Sequence, residues 1–108
     1  MGVHVFMYCY NLETVVLPNH ITSISVGTFD ECSSLKNIII PDNVESIGSW
    51  AFYDCESLES IRIPESVNSI GYAAFRYCFN LSSMIVYEGS YAEQWAKENG
   101  YTDILVIE

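Results

Sequence analysis

Hydrophobic and polar positions follow one another along this chain in a pattern that recurs every 23 residues. The recurrence is clearest in the stretch 47–69, which reads IGSWAFYDCESLESIRIPESVNS and has near-copies on both sides. Phe52 and Cys55 stand where Phe29 and Cys32 stand in the copy before it. A fixed period of this size, with leucine and isoleucine at set offsets, is typical of proteins that stack one short unit on the next.

When the copies are aligned, their apolar residues and prolines fall into columns. We expect the apolar columns to point inward, because stacked coils bury their apolar side chains against one another. The columns are Phe6, Phe29, Phe52, Phe75; Cys9, Cys32, Cys55, Cys78; Leu12, Leu35, Leu58, Leu81; Val15, Ile38, Ile61, Met84; Leu17, Ile40, Ile63, Val86; Pro18, Pro41, Pro64; Ile21, Val44, Val67; and Ile24, Ile47, Ile70.

Each repeat predicts two short extended pieces and one tight turn. The stretch 58–63 alternates as a strand does, and Pro64 ends it because proline has no amide hydrogen for a ladder. We therefore predict a parallel strand of about four to six residues in every coil. The stretch 67–71 predicts a second extended piece, which ends at a glycine where a side chain would hinder the turn. The spacing of apolar residues in 51–55 predicts no more than a turn or so of α or 3₁₀ helix.

The residues after Val86 leave the repeat pattern. Ser90 and Glu93 form a capping box, in which the serine hydroxyl accepts from an early helical amide and the glutamate reaches back to the serine amide. Gly100 suits the position after the last turn, so we predict a helix that lays Trp95 over the last coil. A closing strand is predicted at 104–107. The chain thus divides into a repeat region at 1–87, with an incomplete first repeat, and a C-terminal cap at 88–108.

Charge and composition limit the partners. Fourteen acidic residues against four basic ones give a formal charge of −10, which repels nucleic-acid phosphates and anionic membrane surfaces. No run approaches the roughly 18–20 apolar residues of a membrane span, and the first residues do not resemble a signal peptide. We expect no nucleic-acid partner and no membrane insertion. For an exported protein, the signal and anchor would lie outside this sequence.

No residue set points to catalysis, a cofactor or a metal. The 23-residue spacing of the cysteines matches no zinc pattern, and the alternatives are a buried ladder of thiols, which we favour, one or two disulfides between coils, or a metal site. His4 and His20 have no paired carboxylate at useful spacing. The serine column precedes an inward isoleucine, faces outward and lacks a base; it comprises Ser23, Ser46 and Ser69.

Two surfaces are candidates for partner binding. Residues that alternate with the inward strand positions should face solvent, and one of their two rows is an apolar stripe that an arginine interrupts. The simpler interpretation is that β-branched residues suit strands. The rows are Thr14, Asn37, Ser60, Ser83 and Val16, Ile39, Arg62, Ile85. The second surface is on the side of the predicted helical turns, which we call the turn side, and some of its residues would only pack between coils. It comprises Tyr8, Trp50, Tyr53, Tyr72, Arg76, Tyr77 and Phe79.

The repeat unit I/V-G-x-x-A-F-x-x-C-x-x-L-x-x-I-x-I-P-x-x-V-x-x resembles the BspA-type leucine-rich repeat. The resemblance covers about residues 1–87, and the tail at 89–96 is similar to the cap that often ends such arrays. Ser25 and Thr28 depart from the glycine and alanine of the pattern. The resemblance implies a leucine-rich repeat solenoid of about four coils, in non-enzymatic surface or secreted proteins that bind other proteins, matrix components or neighbouring cells.

The leading hypothesis is therefore a non-enzymatic, extracellular or cell-surface module that binds protein and belongs to a larger repeat protein. The alternative is a structural spacer or stalk that positions another domain. A further expectation concerns the N-terminal edge, where the first strand has no earlier coil to pair with and Val3, Val5, Phe6, Val15 and Leu17 are uncovered. Two copies would meet there across a two-fold axis as a homodimer.

Overall fold

The computed structural model describes residues 6–108, so His4, Val3 and Val5 lie outside the described residues. Short strands alternate with turns until a single α-helix and a last strand. In order, the elements are β1 (Thr14–Val16), β2 (Ser23–Ile24), β3 (Asn37–Ile39), β4 (Ser46–Ile47), β5 (Ser60–Arg62), β6 (Ser69–Ile70), β7 (Ser83–Val86), α1 (Tyr91–Glu98), a 3₁₀ turn (Thr102–Ile104) and β8 (Leu105–Ile107).

Equivalent strands of successive repeats pair in parallel, except that among the described residues no ladder joins β3 to β5. Thr14 lies opposite Asn37 in the pair β1–β3, and Ser60 lies opposite Ser83 in the pair β5–β7. The shorter strands form the sheet β2–β4–β6 in the same register. Residues one repeat apart in sequence are thus neighbours in space, as the period predicts, and the chain has the leucine-rich repeat fold.

Three of the four longer strands of the repeats are shorter than the four to six residues that we predicted. β1, β3 and β5 have three residues each, and β7 has four. A proline stands two residues after each of the first three strands, and it has no amide hydrogen with which to extend the ladder. In the last repeat Tyr87 takes the place of proline, and the pairing continues: Glu108 N donates to Val86 O at 2.8 Å.

The stretch around each phenylalanine is a tight turn and contains no helix. Phe29 N donates to Ala51 O at 2.7 Å, and Phe52 N donates to Ala74 O at 2.7 Å, so these amides bond to the next repeat. A helix would have used them within its own turn. Left-handed residues such as Trp50, with φ 57°, also interrupt any helical run. The predicted short helical turns are therefore turns held from coil to coil.

Glycine is required where adjacent coils approach most closely. A Cβ on Gly48 would lie 2.5 Å from Val26 N, and a Cβ on Gly71 would lie 2.4 Å from Ser49 N. Neither glycine is among the residues with positive φ. The backbone of the preceding coil excludes a side chain here, so these glycines serve close stacking and not an unusual turn conformation.

The core is formed by the predicted columns, and the phenylalanine column is its axis. Successive rings from Phe6 to Phe29, Phe52 and Phe75 are stacked with centroids 5.4, 5.3 and 5.2 Å apart. Columns are fully buried in the middle of the stack and only half-buried towards its ends. Half-buried members of the columns are Phe6, Cys9, Leu12, Val15, Cys78 and Leu81.

The tail folds over the last repeat. The Ser90 hydroxyl accepts from Glu93 N at 3.1 Å, as predicted, but Glu93 reaches Gly89 N, at 2.7 Å, and not the serine amide. The serine amide instead donates to Tyr87 O, at 3.0 Å.

The ring of Trp95 and that of Phe75 meet edge to face, with centroids 6.0 Å apart. β8 pairs in parallel with β7, and it begins one residue later than the predicted strand because Ile104 belongs to the 3₁₀ turn. The division of the chain at 87/88 stays a prediction.

Candidate functional site

The outward positions of the longer strands form a row in two parts, one on the pair β1–β3 and one on the sheet β5–β7–β8, and we call both parts together the strand-face row. Val16 lies opposite Ile39, Arg62 lies opposite Ile85, and Ile85 lies opposite Val106 of β8. Their neighbours in sequence, Ile38, Ile61 and Met84, point inward and are buried. This alternation follows from the pleat of a strand and places every predicted residue of the stripe on one face.

The two ends of the strand-face row differ in exposure. Val16 is 95% exposed and Ile39 is 83% exposed, whereas Ile85 is half-buried and Val106 is 42% exposed. β-branched side chains this exposed contribute no packing within the chain. The apolar surface is therefore concentrated at Val16 and Ile39, on strands β1 and β3.

The parallel row of small polar side chains flanks this stripe. Thr14 lies opposite Asn37, and Ser60 lies opposite Ser83. The first two are exposed and the last two are half-buried. The strand face thus combines an apolar row with a row of hydrogen-bonding groups.

Arg62 does not present a free charge on this face. Its Nη1 lies 2.5 Å from Glu108 Oε1 and its Nη2 lies 3.2 Å from Glu108 Oε2, which is a two-point contact between guanidinium and carboxylate. Hydrogen bonding to Glu108, followed by a bond to Tyr87, raises the pKa of Arg62, and hydrogen bonding to Arg62 lowers the pKa of Glu108. The pair spans β7 and links β5 to the residue that follows β8.

Val106 and Glu108 are members of this surface that sequence reasoning missed. The apolar run at 104–107 predicts a strand, but nothing in its composition assigns that strand to the edge of β7. The assignment depends on the path of the chain through α1. The signal that could have indicated it is the absence of proline after Val86, which leaves β7 free to pair.

Most of the predicted aromatic residues on the turn side form one connected surface. Trp50 meets Tyr72 edge-on at 6.1 Å, Tyr53 meets Tyr77 at 5.3 Å, and Tyr77 lies 5.7 Å from Phe79. Arg76 connects these two groups of rings, since its Cζ lies 5.9 Å from the ring centre of Tyr72 and 5.6 Å from that of Tyr77. Tyr8 is separate from these contacts and stacks on Tyr10 at 6.1 Å.

The cysteines form a ladder of free thiols, as favoured from the sequence. Three of the four thiols donate to the phenylalanine carbonyl of the preceding repeat: Cys32 to Phe6 at 3.0 Å, Cys55 to Phe29 at 3.2 Å and Cys78 to Phe52 at 3.1 Å. Burial raises the pKa of Cys32 to about 11, and a hydrogen bond with Cys78 together with burial raises the pKa of Cys55. Thiols with raised pKa values are poor nucleophiles and poor metal ligands.

The remaining candidate groups are scattered. His20 and Ser69 are exposed, and Ser23 and Ser46 are half-buried in the sheet β2–β4–β6. Within residues 6–108, no three His, Cys, Asp or Glu side chains are grouped so that they could hold a metal ion. None of the helices formed by these residues combines the length and the apolar character that crossing a membrane requires.

Comparison with known proteins relates this chain to leucine-rich repeat proteins. The family model for the BspA type leucine rich repeat region matches residues 1–96, in six copies. No curated protein matches the chain significantly.

Three solved structures are similar in fold. A leucine rich cell surface protein from Faecalibacterium prausnitzii is 38% identical, with a TM-score of 0.75, and the match covers 77% of this chain and 22% of that protein. A leucine-rich repeat protein from Bacteroides ovatus is 28% identical, with a TM-score of 0.68 and coverage of 80% and 30%. A leucine rich repeat protein from T. pallidum is 29% identical, with a TM-score of 0.57 and coverage of 77% and 50%. The chain therefore spans no more than half the length of these relatives.

Proposed function

The chain belongs to the BspA-type leucine-rich repeat family, and from this premise we propose that it is a non-enzymatic module that binds protein in adhesion, at a cell surface or in a secreted protein. Leucine-rich repeat proteins generally bind proteins, and one similar structure is that of a cell surface protein. The larger size of the relatives supports a role as part of a longer repeat protein.

The observation that carries this proposal is the exposed apolar end of the strand-face row. Val16 and Ile39 lie side by side on paired strands with most of their surface in water. Exposed apolar groups that adjoin one another, with polar groups at their rim, are a common feature of interaction sites. Thr14 and Asn37 provide such a rim on the same two strands.

The partner that fits this face is a protein with an apolar centre and a basic rim. Val16 and Ile39 would be buried at the centre of the contact, where burial of each side chain is worth about 1.5–3 kcal/mol. The net charge of −10 favours approach of a basic surface and speeds its encounter. Host matrix proteins and the surface proteins of neighbouring cells are the partners to test.

The experiment is a pull-down with the immobilised protein and its variants Val16→Glu and Ile39→Glu, against matrix proteins and against envelope extracts of neighbouring cells. The matched control is Asn68→Glu, which adds the same charge at an exposed position where the preceding repeat already has Glu45. We expect a defined protein to be retained by the wild type and by Asn68→Glu, and to be lost with both strand-face variants.

The alternative function, a spacer that positions another domain, leads to the opposite expectation for the pull-down. A spacer would retain no protein specifically, and its variants would behave as the wild type does. Retention that survives both Val16→Glu and Ile39→Glu would support binding through a different surface. Either result would overturn the assignment to the strand-face row.

We also propose that two copies of the chain associate through the N-terminal edge. Within residues 6–108, β1 pairs with β3 only, and Val15 and Phe6 are half-buried. Among these residues the other edge of β1 is unpaired, and an unpaired strand edge beside apolar side chains favours addition of another chain. We expect a homodimer whose mass, in light scattering on a sizing column, rises with concentration in the micromolar range. A mass that stays monomeric throughout would exclude it.

A further inference from the structure

A cleft lies where the turn side of the last repeat meets helix α1. The stretch 70–74 forms one wall, and Trp95, Asn99 and Tyr101 form the other. Its volume is about 430 Å³, which is within the range of about 300–1,000 Å³ typical of sites for small ligands. Arg76 is part of the lining, so the cleft has one permanent positive charge.

Arg76 is held in place by aromatic groups. Its Nη1 donates to Tyr72 Oη at 3.0 Å, and its Cζ lies within 6 Å of the ring centres of Tyr72 and Tyr77. In the part of the chain that the structure describes, the ion pairs are Arg62–Glu108 and Lys97–Glu93, and Arg76 is in neither. A guanidinium has five N–H donors, so most of those on Arg76 remain for an anionic ligand.

The walls of the cleft are flat rings in fixed positions. Trp95 stacks on Tyr101 with centroids 5.3 Å apart and also contacts Phe75. Tyr72, in the opposite wall, is 67% exposed. Asn99 donates its side-chain amide to Trp95 O at 2.8 Å, which holds this planar group beside the tryptophan. Such rings attract the slightly positive C–H groups of a sugar ring to their faces.

We propose that this cleft binds an acidic sugar, that is, a pyranose ring with a carboxylate, through the Arg76 guanidinium and the exposed ring of Tyr72, with Trp95 and Asn99 in the opposite wall. A carboxylate accepts two parallel hydrogen bonds from a guanidinium, which fixes the ligand in orientation as well as in charge. This site uses none of the residues of the strand-face row, so it stands apart from the proposed protein contact.

An extended peptide fits the same place less well. The nearest strand edge is that of β6, and a peptide that added a strand there would need its free amides. The amide of Ile70 already donates to Tyr91 Oη, at 3.3 Å. Tyr91 of α1 therefore occupies the edge, and the recognition groups left in the cleft are Arg76 and the rings.

The test is isothermal titration of the full chain with trigalacturonic acid, with neutral galactotriose as the uncharged analogue and a triglutamate peptide as an acidic ligand without sugar rings. We expect trigalacturonic acid to bind at least about tenfold more tightly than either of the others, because only it satisfies both the cation and the rings. Two-dimensional NMR should show shifts of the Trp95 indole and the Asn99 side-chain amide on addition of this ligand.

Variants then assign the contacts. Arg76→Gln should weaken binding of trigalacturonic acid at least about tenfold, Arg76→Lys should weaken it less, and Tyr72→Ala should weaken it without unfolding because Tyr72 is exposed. The matched control is Arg62→Gln, which removes the other arginine and should leave this affinity unchanged. Free monomeric galacturonic acid should bind more weakly than the trisaccharide if the ligand is a polysaccharide chain, and equally if it is a single sugar.

The proposal is overturned if trigalacturonic acid does not bind at millimolar concentration, if galactotriose or triglutamate binds equally well, or if Arg76→Gln and Arg62→Gln behave alike. Retention of a protein partner in the pull-down does not depend on any of these outcomes. Failure of the sugar site and failure of the proposed function can therefore be distinguished.

Discussion

Replacing Phe52 by alanine tests the packing of the repeats most sharply. Phe52 is fully buried, with its ring centre 5.3 Å from that of Phe29 and 5.2 Å from that of Phe75. Loss of a buried phenylalanine side chain costs about 3–5 kcal/mol. Each aromatic pair adds about 0.5–1.5 kcal/mol beyond the buried area, and Phe52 takes part in two pairs. We therefore expect the free energy of unfolding to fall by an amount near the upper end, about 4–5 kcal/mol.

Two further variants separate the contributions. Phe52→Leu keeps most of the buried volume but removes both ring pairs, so it should cost about 1–3 kcal/mol. Ser60→Ala, at a half-buried outward position in β5, should change stability by less than about 0.5 kcal/mol. Urea titration followed by circular dichroism measures all three. With a slope of about 1–3 kcal/mol per molar urea, the midpoint for Phe52→Ala should fall by about 2 M. Equal midpoints for Phe52→Ala and Ser60→Ala would refute the assignment of the columns.

Three other expectations follow from the described contacts. Ellman titration should find few reactive thiols in the native state and about four after denaturation without reductant; fewer than four would reveal a bridge. Deleting 90–108 should cause aggregation, because it removes β8 from the edge of β7 and Trp95 from Phe75; a truncated chain that stays monomeric with an unchanged melting temperature would contradict this. Hydrogen bonding from Lys97 and then from Gly89 N lowers the pKa of Glu93. The stability from these contacts should thus be present above the ordinary glutamate pKa of 4.5 and lost as pH falls through the lower folded value. Thermal melts of Glu93→Gln should lack this acid-dependent loss; an identical pH profile for both proteins would exclude it.

The repeat columns could be predicted because each column keeps one character through the copies. Phe29, Phe52 and Phe75 are interchangeable in their surroundings, so the period alone places them in one stack. The same reasoning does not distinguish the middle of the stack from its ends. Cys9 and Cys78 are half-buried although Cys32 and Cys55 are buried, because a terminal coil has fewer neighbours to cover it.

The backbone of the turns could not be predicted from local propensity. Trp50 and Ala73 have φ of 57°, a conformation that favours glycine, and only Gly27 of this column fits that preference. Amide hydrogen bonds from one coil to the next impose this conformation. Propensity describes an isolated segment, whereas these bonds join segments one repeat apart.

The sequence predicted the strand face correctly on β1 and β3, but the prediction was incomplete near β8. Val16 and Ile39 follow from the alternation of a strand, and the structure exposes both. The contact of Arg62 with Glu108 joins residues far apart in sequence and depends on where β8 docks. Sequence periodicity contains no information on that docking, since β8 is outside the repeats.

Val16 and Ile39 are proposed as the contact point for a protein partner, and an equilibrium binding measurement on the protein retained in the pull-down decides whether they have that role. The double variant Val16→Glu/Ile39→Glu is compared with the wild type and with Asn68→Glu by biolayer interferometry, after circular dichroism has shown that all three are folded. Loss of two buried apolar contacts, at about 1.5–3 kcal/mol each, should make the dissociation constant of the double variant at least about a hundredfold larger. The control should show little change. Affinities that agree within about threefold for all three proteins would contradict the claim.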